Sequence, residues 1–142
     1  MALVLRADRF TPSLKKDILY QDFLSSMQFS SDTSDLFLST NEDSVKQSII
    51  NLLLTNPGEK LFNPTLGSEI NKILFENITP QTTASLIKLI RNTIENFEPR
   101  AQLLDVIASP LEEENAYSIT IVFSVINKTE PITLDLLLNR IR

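Results

Sequence analysis

Glu98 and Arg100 are opposite charges separated by a single rigid residue, Pro99. Proline fixes its own φ, so the two flanking side chains have fewer orientations to lose when they pair with something. Arginine offers a planar fork that grips a carboxylate through two parallel hydrogen bonds, which suits an anchor between proteins. The plainer alternative is a local ion pair or capping contact that merely finishes a helix, and spacing alone favours it. A second chemistry needs only carboxylates. A glycosidase uses two of them, roughly 5–10 Å apart, and requires no histidine. Glu76, Glu95 and Glu98 are the candidate acids.

Composition removes most other chemistries. The 142 residues include 0 histidines and 0 cysteines, which excludes Ser-His and Cys-His nucleophile pairs, zinc fingers, His-ligated metals and disulfides. The 2 glycines, Gly58 and Gly67, are too few for a phosphate-cradling loop of the Walker or Rossmann type. No cofactor or metal is therefore expected. With 18 acidic and 13 basic residues the formal net charge is -5, and the basic residues are scattered, so a nucleic-acid partner is not expected. No stretch approaches the roughly 20 apolar residues of a membrane helix. The opening Met1–Arg6 has no basic leader and breaks its apolar run at Arg6, unlike a secretory signal. The 0 tryptophans and 2 tyrosines, Tyr20 and Tyr117, offer little ring surface on which a glycosidase cleft could stack sugars.

The elements that must position these residues follow from periodicity. The reading is an N-terminal arm or packing segment over residues 1–34, rich in aromatics, followed by one domain over 35–142. Ser30–Asp35 has turn chemistry, and Leu36–Leu38 is a short strand candidate. Ser39, Thr40 and Asn41 are overlapping N-cap candidates. Val45, Ile49, Leu52 and Leu53 then predict a helix over 42–54 that stops at Asn56-Pro57-Gly58. Phe62-x-Pro64-x-x-Gly67 reads as an extended loop, after which Ser68 is expected to cap a short helix with Ile70, Ile73 and Leu74 inward. Thr79-Pro80 is a cap followed by proline at the first helical position, and Pro99 ends that helix. Beyond Arg100 the period becomes two. A strand is expected over 101–109 with a turn near Pro110, and Glu112–Asn115 forms a solvated hairpin tip. Two further strands carry Tyr117–Val125 and Ile132–Leu138, with a turn at Asn127–Pro131 between them. The fold class is α+β: two to three helices on one face of a small antiparallel sheet of three or four strands, the fourth coming from around Leu36.

The block Leu74-Phe75-Glu76-Asn77-Ile78-Thr79-Pro80, continuing to Asn96-Phe97-Glu98-Pro99-Arg100, resembles the baseplate wedge family typified by the gene-25 product of T-even phages. That family includes sheath-initiating subunits of related contractile injection machines. The Phe62, Pro64 and Gly67 loop is similar to the one that precedes the short helix in those proteins, so the resemblance runs from about Leu36 to the C-terminus. It implies a fold like the core of the sheath subunit and a structural role in the virion tail baseplate, assembled in the bacterial host cytoplasm. The implied partners are the helical bundle of wedge scaffold proteins, the sheath protein and other inner baseplate proteins near the tube, in a six-fold arrangement. It also implies docking on the scaffold through Glu98, Pro99 and Arg100, and sheath attachment by strand addition, with Leu134, Leu136 and Leu138 as register-setting candidates. Ordinary core packing is the alternative for those leucines. A lysozyme-like label also attaches to the family, which makes a peptidoglycan hydrolase the competing function. A generic adaptor unrelated to phages is the third reading.

Overall fold

Thirteen residues with acids in the first turn and apolar groups at helical spacing form helix α1, Glu42–Leu54, with Val45, Ile49, Leu52 and Leu53 buried. In the computed structural model, which describes residues 18–23, 27–28, 36, 38–126, 128 and 130–140, two further helices follow: α2, Ile70–Leu74, and α3, Pro80–Phe97. Strands β1, Gln21–Phe23, and β2, Leu38–Thr40, precede α1. Strands β3, Ala101–Leu111, β4, Ala116–Val125, and β5, Pro131–Asn139, follow α3. The expected Ser30–Asp35 turn and most of the proposed arm lie outside the described residues.

Helix α3 starts as its sequence dictates. The Thr79 hydroxyl accepts from the Thr82 amide at 3.1 Å, while the Thr82 hydroxyl accepts from the Thr79 amide at 2.8 Å. Threonine thus fills the reciprocal role that glutamate usually takes in a capping box. The expected cap on α2 differs. Glu69, not Ser68, holds the N-cap position. The buried Ser68 hydroxyl instead donates to the Leu53 carbonyl at 2.7 Å, and the Ser68 amide to Thr55 O at 2.9 Å. The serine satisfies orphan carbonyls at the end of α1 and so fastens the 57–67 loop to that helix. Within the loop, Phe62 is fully exposed and adopts a left-handed φ of 68°.

Strands β3, β4 and β5 form an antiparallel meander in that order. Strand β3 runs past the expected turn at Pro110, which pairs with Tyr117, and continues to Leu111. A register shift between Leu103 and Asp105 interrupts its alternation, so the inward side passes from Leu103 to Val106. The strand candidate near Leu36 does not join this sheet as a fourth member. Residues 38–40 pair with 21–23 in a separate two-stranded ribbon. Buried Ile49, Ile90, Ile94, Ile121, Phe123 and Leu134 bring α1, α3 and the inner face of the meander into one core. Among the described residues, no helix is long and apolar enough to cross a membrane.

Candidate functional site

The geometry around Pro99 starts from where α3 stops. Glu98 is its C-cap residue, with its amide donating to Ile94 O at 2.9 Å. The chain then turns through Pro99 and enters β3 almost at once. The Ala101 amide donates to Glu98 O at 3.2 Å, and the Ile126 amide to Arg100 O at 3.0 Å. Helix and sheet are therefore pinned together within three residues.

The Arg100 fork closes on Glu98 rather than opening outward. Nε donates to Oε1 at 2.8 Å and Nη2 to Oε2 at 2.9 Å, a bidentate pair. The Ser48 hydroxyl from α1 also donates to Oε2. The Glu98 side chain is only 4% exposed and the Arg100 side chain 27%. The third guanidinium nitrogen, Nη1, donates to Asp22 Oδ2 at 3.1 Å. That same oxygen accepts from the Ser44 hydroxyl at 2.7 Å. The guanidinium carbon lies 5.7 Å from the centre of the Tyr20 ring, within reach of a cation–π attraction. Of the two alternatives for the Glu-Pro-Arg triplet, the local ion pair is thus formed, and it ties β1, α1, α3 and β3 to one point.

Sequence reasoning did not find Tyr20, Asp22, Ser44 or Ser48. A faint signal exists for the serines: they lie one turn apart on α1, among residues otherwise chosen for burial. Tyr20 and Asp22 reach the site only through the ribbon. The Asn41 amide donates to Tyr20 O at 2.7 Å, and Asn41 Oδ1 accepts from the Leu19 amide at 2.8 Å. Asn41 therefore spends its side chain on this segment instead of capping α1.

Both carboxylates titrate low. For Glu98, burial would raise the carboxyl, but the Arg100 fork, the Ser48 hydroxyl and the guanidinium charge together outweigh it. For Asp22 the Ser44 hydroxyl is the largest influence, with Arg100 adding to it against a desolvation cost. The pairing with Glu98 raises Arg100 still further above its already basic range. A carboxylate with a depressed folded-state pKa contributes stability that is present above its unfolded value and lost as pH falls through the folded one. The ordinary values here are 4.5 and 3.8. Unfolding free energy should therefore drop on acidification below about pH 4.5. Urea melts at a series of pH values should show that drop, and Glu98→Gln should flatten it. An unchanged slope in that variant would mean that Glu98 does not carry the effect.

An open cleft of about 360 Å³ lies beside the corner, lined by Asp22, Phe23, Ser44, Gln47, Asn51 and Arg100 among others. It is continued by a second, of about 460 Å³, which shares Ser48 and Asn51 and extends to Leu66 and Phe97. Neither is lined by Glu76, Glu95 or Glu98. Glu76 and Glu95 are exposed, while Glu98 is buried with both oxygens engaged, so it is placed neither to give up a proton nor to meet a water. No group of three or more acidic, histidine or cysteine side chains that could hold a metal occurs among the described residues.

The three leucines of β5 face the core. Leu134 and Leu138 are buried and Leu136 is partly so. Among the described residues, β3 and β5 are the two margins of the three-stranded sheet, and α3 packs along β3.

Residues 39–130 match the family model described as baseplate wedge protein gp25. The chain is 33% identical over 89 residues to the baseplate wedge protein gp25 of Enterobacteria phage T4, covering 63% of this chain and 67% of that protein. Among solved structures it is similar to a Geobacter sulfurreducens protein that carries a provisional tail-lysozyme name. There the TM-score is 0.70 and the identity 28%, over 76% of this chain and 98% of that one. It is also similar to a chain in the six-fold symmetrised baseplate of the anti-feeding prophage, with a TM-score of 0.61 and 27% identity over 87% of each chain.

Proposed function

Because the chain belongs to the baseplate wedge protein gp25 family, we propose that it is a structural subunit of the virion tail baseplate that docks on wedge scaffold helices and starts the sheath. The observation that carries docking is the corner itself: four elements meet at Arg100 beside a cleft, and three of them, α1, α3 and β3, lie inside the span matched to the family. A surface held this rigidly loses little freedom on binding, so more of the contact energy survives as affinity. In this reading Glu98 fixes Arg100, Pro99 fixes the direction of the chain, and the cleft wall along α1 receives the scaffold. Sheath attachment proceeds by strand addition at β5. An incoming strand gains backbone hydrogen bonds there, and its inward side chains fall beside Leu134, Leu136 and Leu138, which sets its register. Copies are arranged six-fold around the tube.

The burial and ion pairing of Glu98 weigh against the hydrolase reading, in which it would have to serve as an acid or a base. Docking is tested by filling the cleft without touching the ion pair. Asn51 is exposed on α1, and Asn51→Trp should leave the melting temperature of the isolated chain within about 3 °C of wild type. The same variant should lower its occupancy in purified tails at least ~10-fold, equivalent to about 1.4 kcal/mol. Wild-type occupancy in that variant would remove the cleft from the interface.

A further inference from the structure

The charge arrangement at the corner determines what kind of side chain a partner must bring. Two carboxylates, Glu98 and Asp22, share the one guanidinium of Arg100. Glu98 is buried and takes both arms of the fork, so the fork is not available to grip a partner's carboxylate. The unneutralised negative charge falls on Asp22, whose side chain is 48% exposed. Asp22 lines the open cleft, and among the described residues Arg100 is the one basic residue that lines it. Beside it Phe23 is 64% exposed, and it continues the cleft onto the ribbon next to Leu38, which is also exposed. Asp22 and Phe23 both precede the span matched to the family, so this part of the surface is supplied by the segment ahead of it.

We infer that the partner docks on this corner with a lysine or arginine that meets Asp22, next to an apolar side chain that covers Phe23. The inference rests on the docking role proposed above and adds the sign of the partner's charge. A cation at that position would complete the charge balance of the Glu98–Arg100–Asp22 chain, whereas a carboxylate there would meet a half-exposed aspartate. Leu38 and Phe23 would become covered in the same step.

The test separates the charge of Asp22 from its hydrogen bonds. An amide oxygen can still accept from the Arg100 guanidinium and the Ser44 hydroxyl, so Asp22→Asn retains the positioning of Arg100 and loses only the charge. Full-length variants would be supplied in place of the wild-type chain in the contractile particles, and occupancy read from purified baseplates. Expected is a several-fold loss for Asp22→Asn, with a melting temperature of the isolated chain within about 3 °C of wild type, and at least a ~10-fold loss for Asp22→Lys. Wild-type occupancy for Asp22→Asn overturns the inference, because Asp22 would then serve only to hold Arg100. Should Asp22→Asn itself melt far below wild type, salt decides instead. Raising ionic strength from about 0.05 M to about 0.5 M should then lower retention of the wild-type chain in its baseplate complex several-fold, and salt-independent retention overturns the inference. Absence of the wild-type chain from purified baseplates would instead defeat the docking role itself.

Discussion

Arg100→Ala is expected to cost about 3 kcal/mol of stability, a drop in melting temperature of roughly 10 °C for a domain of this size. The reason lies in what remains behind. Glu98 would keep its buried carboxylate but lose both guanidinium hydrogen bonds and the compensating charge, leaving only the Ser48 hydroxyl and a weak contact from the backbone at position 100. Its pKa would rise, and the site would be least stable at neutral pH, where the lone carboxylate must stay charged. The partial exposure of the guanidinium keeps the cost away from the top of the range seen for broken buried pairs. A double-mutant cycle checks the mechanism. Glu98→Gln combined with Arg100→Ala should be less destabilised than Arg100→Ala alone, because a neutral amide tolerates burial better than an orphaned charge. If the double variant is instead the weaker of the two, the cost of Arg100→Ala comes from lost packing and not from the stranded carboxylate. Loss of baseplate incorporation in Arg100→Ala by itself therefore reports folding as much as docking.

Gly67→Ala should be at least as damaging, and for a reason confined to the backbone. Gly67 has a φ of +133°, and a β-carbon there would lie 2.5 Å from Thr55 O and 2.9 Å from Asn56 C. Neither neighbour is a side chain that can swing away, so the loop must separate from the end of α1. That would disturb the Ser68 amide bond to Thr55 O and the Ser68 hydroxyl bond to Leu53 O. A cost of about 3–4 kcal/mol is expected, read as a midpoint shift in urea unfolding. Gly58→Ala is the control. Its φ of +91° is strained for alanine but nothing lies within 4 Å of the added carbon, so about 1 kcal/mol is expected. Equal costs for the two variants would mean that conformational strain dominates and the contact with α1 does not.

What the residues announced and what they concealed divide along sequence distance. Helix α1 has the predicted bounds and α3 begins and ends at the marked prolines, because amphipathic period and capping are local signals. The alternating strands around Ile119 and Leu134 were legible for the same reason. Strand β3 begins at the expected Ala101 but was harder to place at its C-terminal end, because the shift at Leu104 breaks the period and Pro110 resembles a stop. The ribbon could be seen only in part. Its strands have three residues each, β1 is exposed throughout, and no pattern within either strand names the other as its partner. The Glu98–Arg100 contact was within reach because a single residue separates its members. Its other contacts were not: Ser48 lies 50 positions from Glu98, and Asp22 lies 78 from Arg100. Sequence spacing identified the vertex of the site but could not count the walls.

The abruptness of the helix-to-strand corner has a mechanical consequence. The last turn of α3 and the first residue of β3 are bridged by the Glu98 backbone, which donates to Ile94 and accepts from Ala101, with no long loop between them. A tensile load on the meander therefore reaches α3 without first stretching a loop. The corner makes the sheet and the helix a single stiff lever.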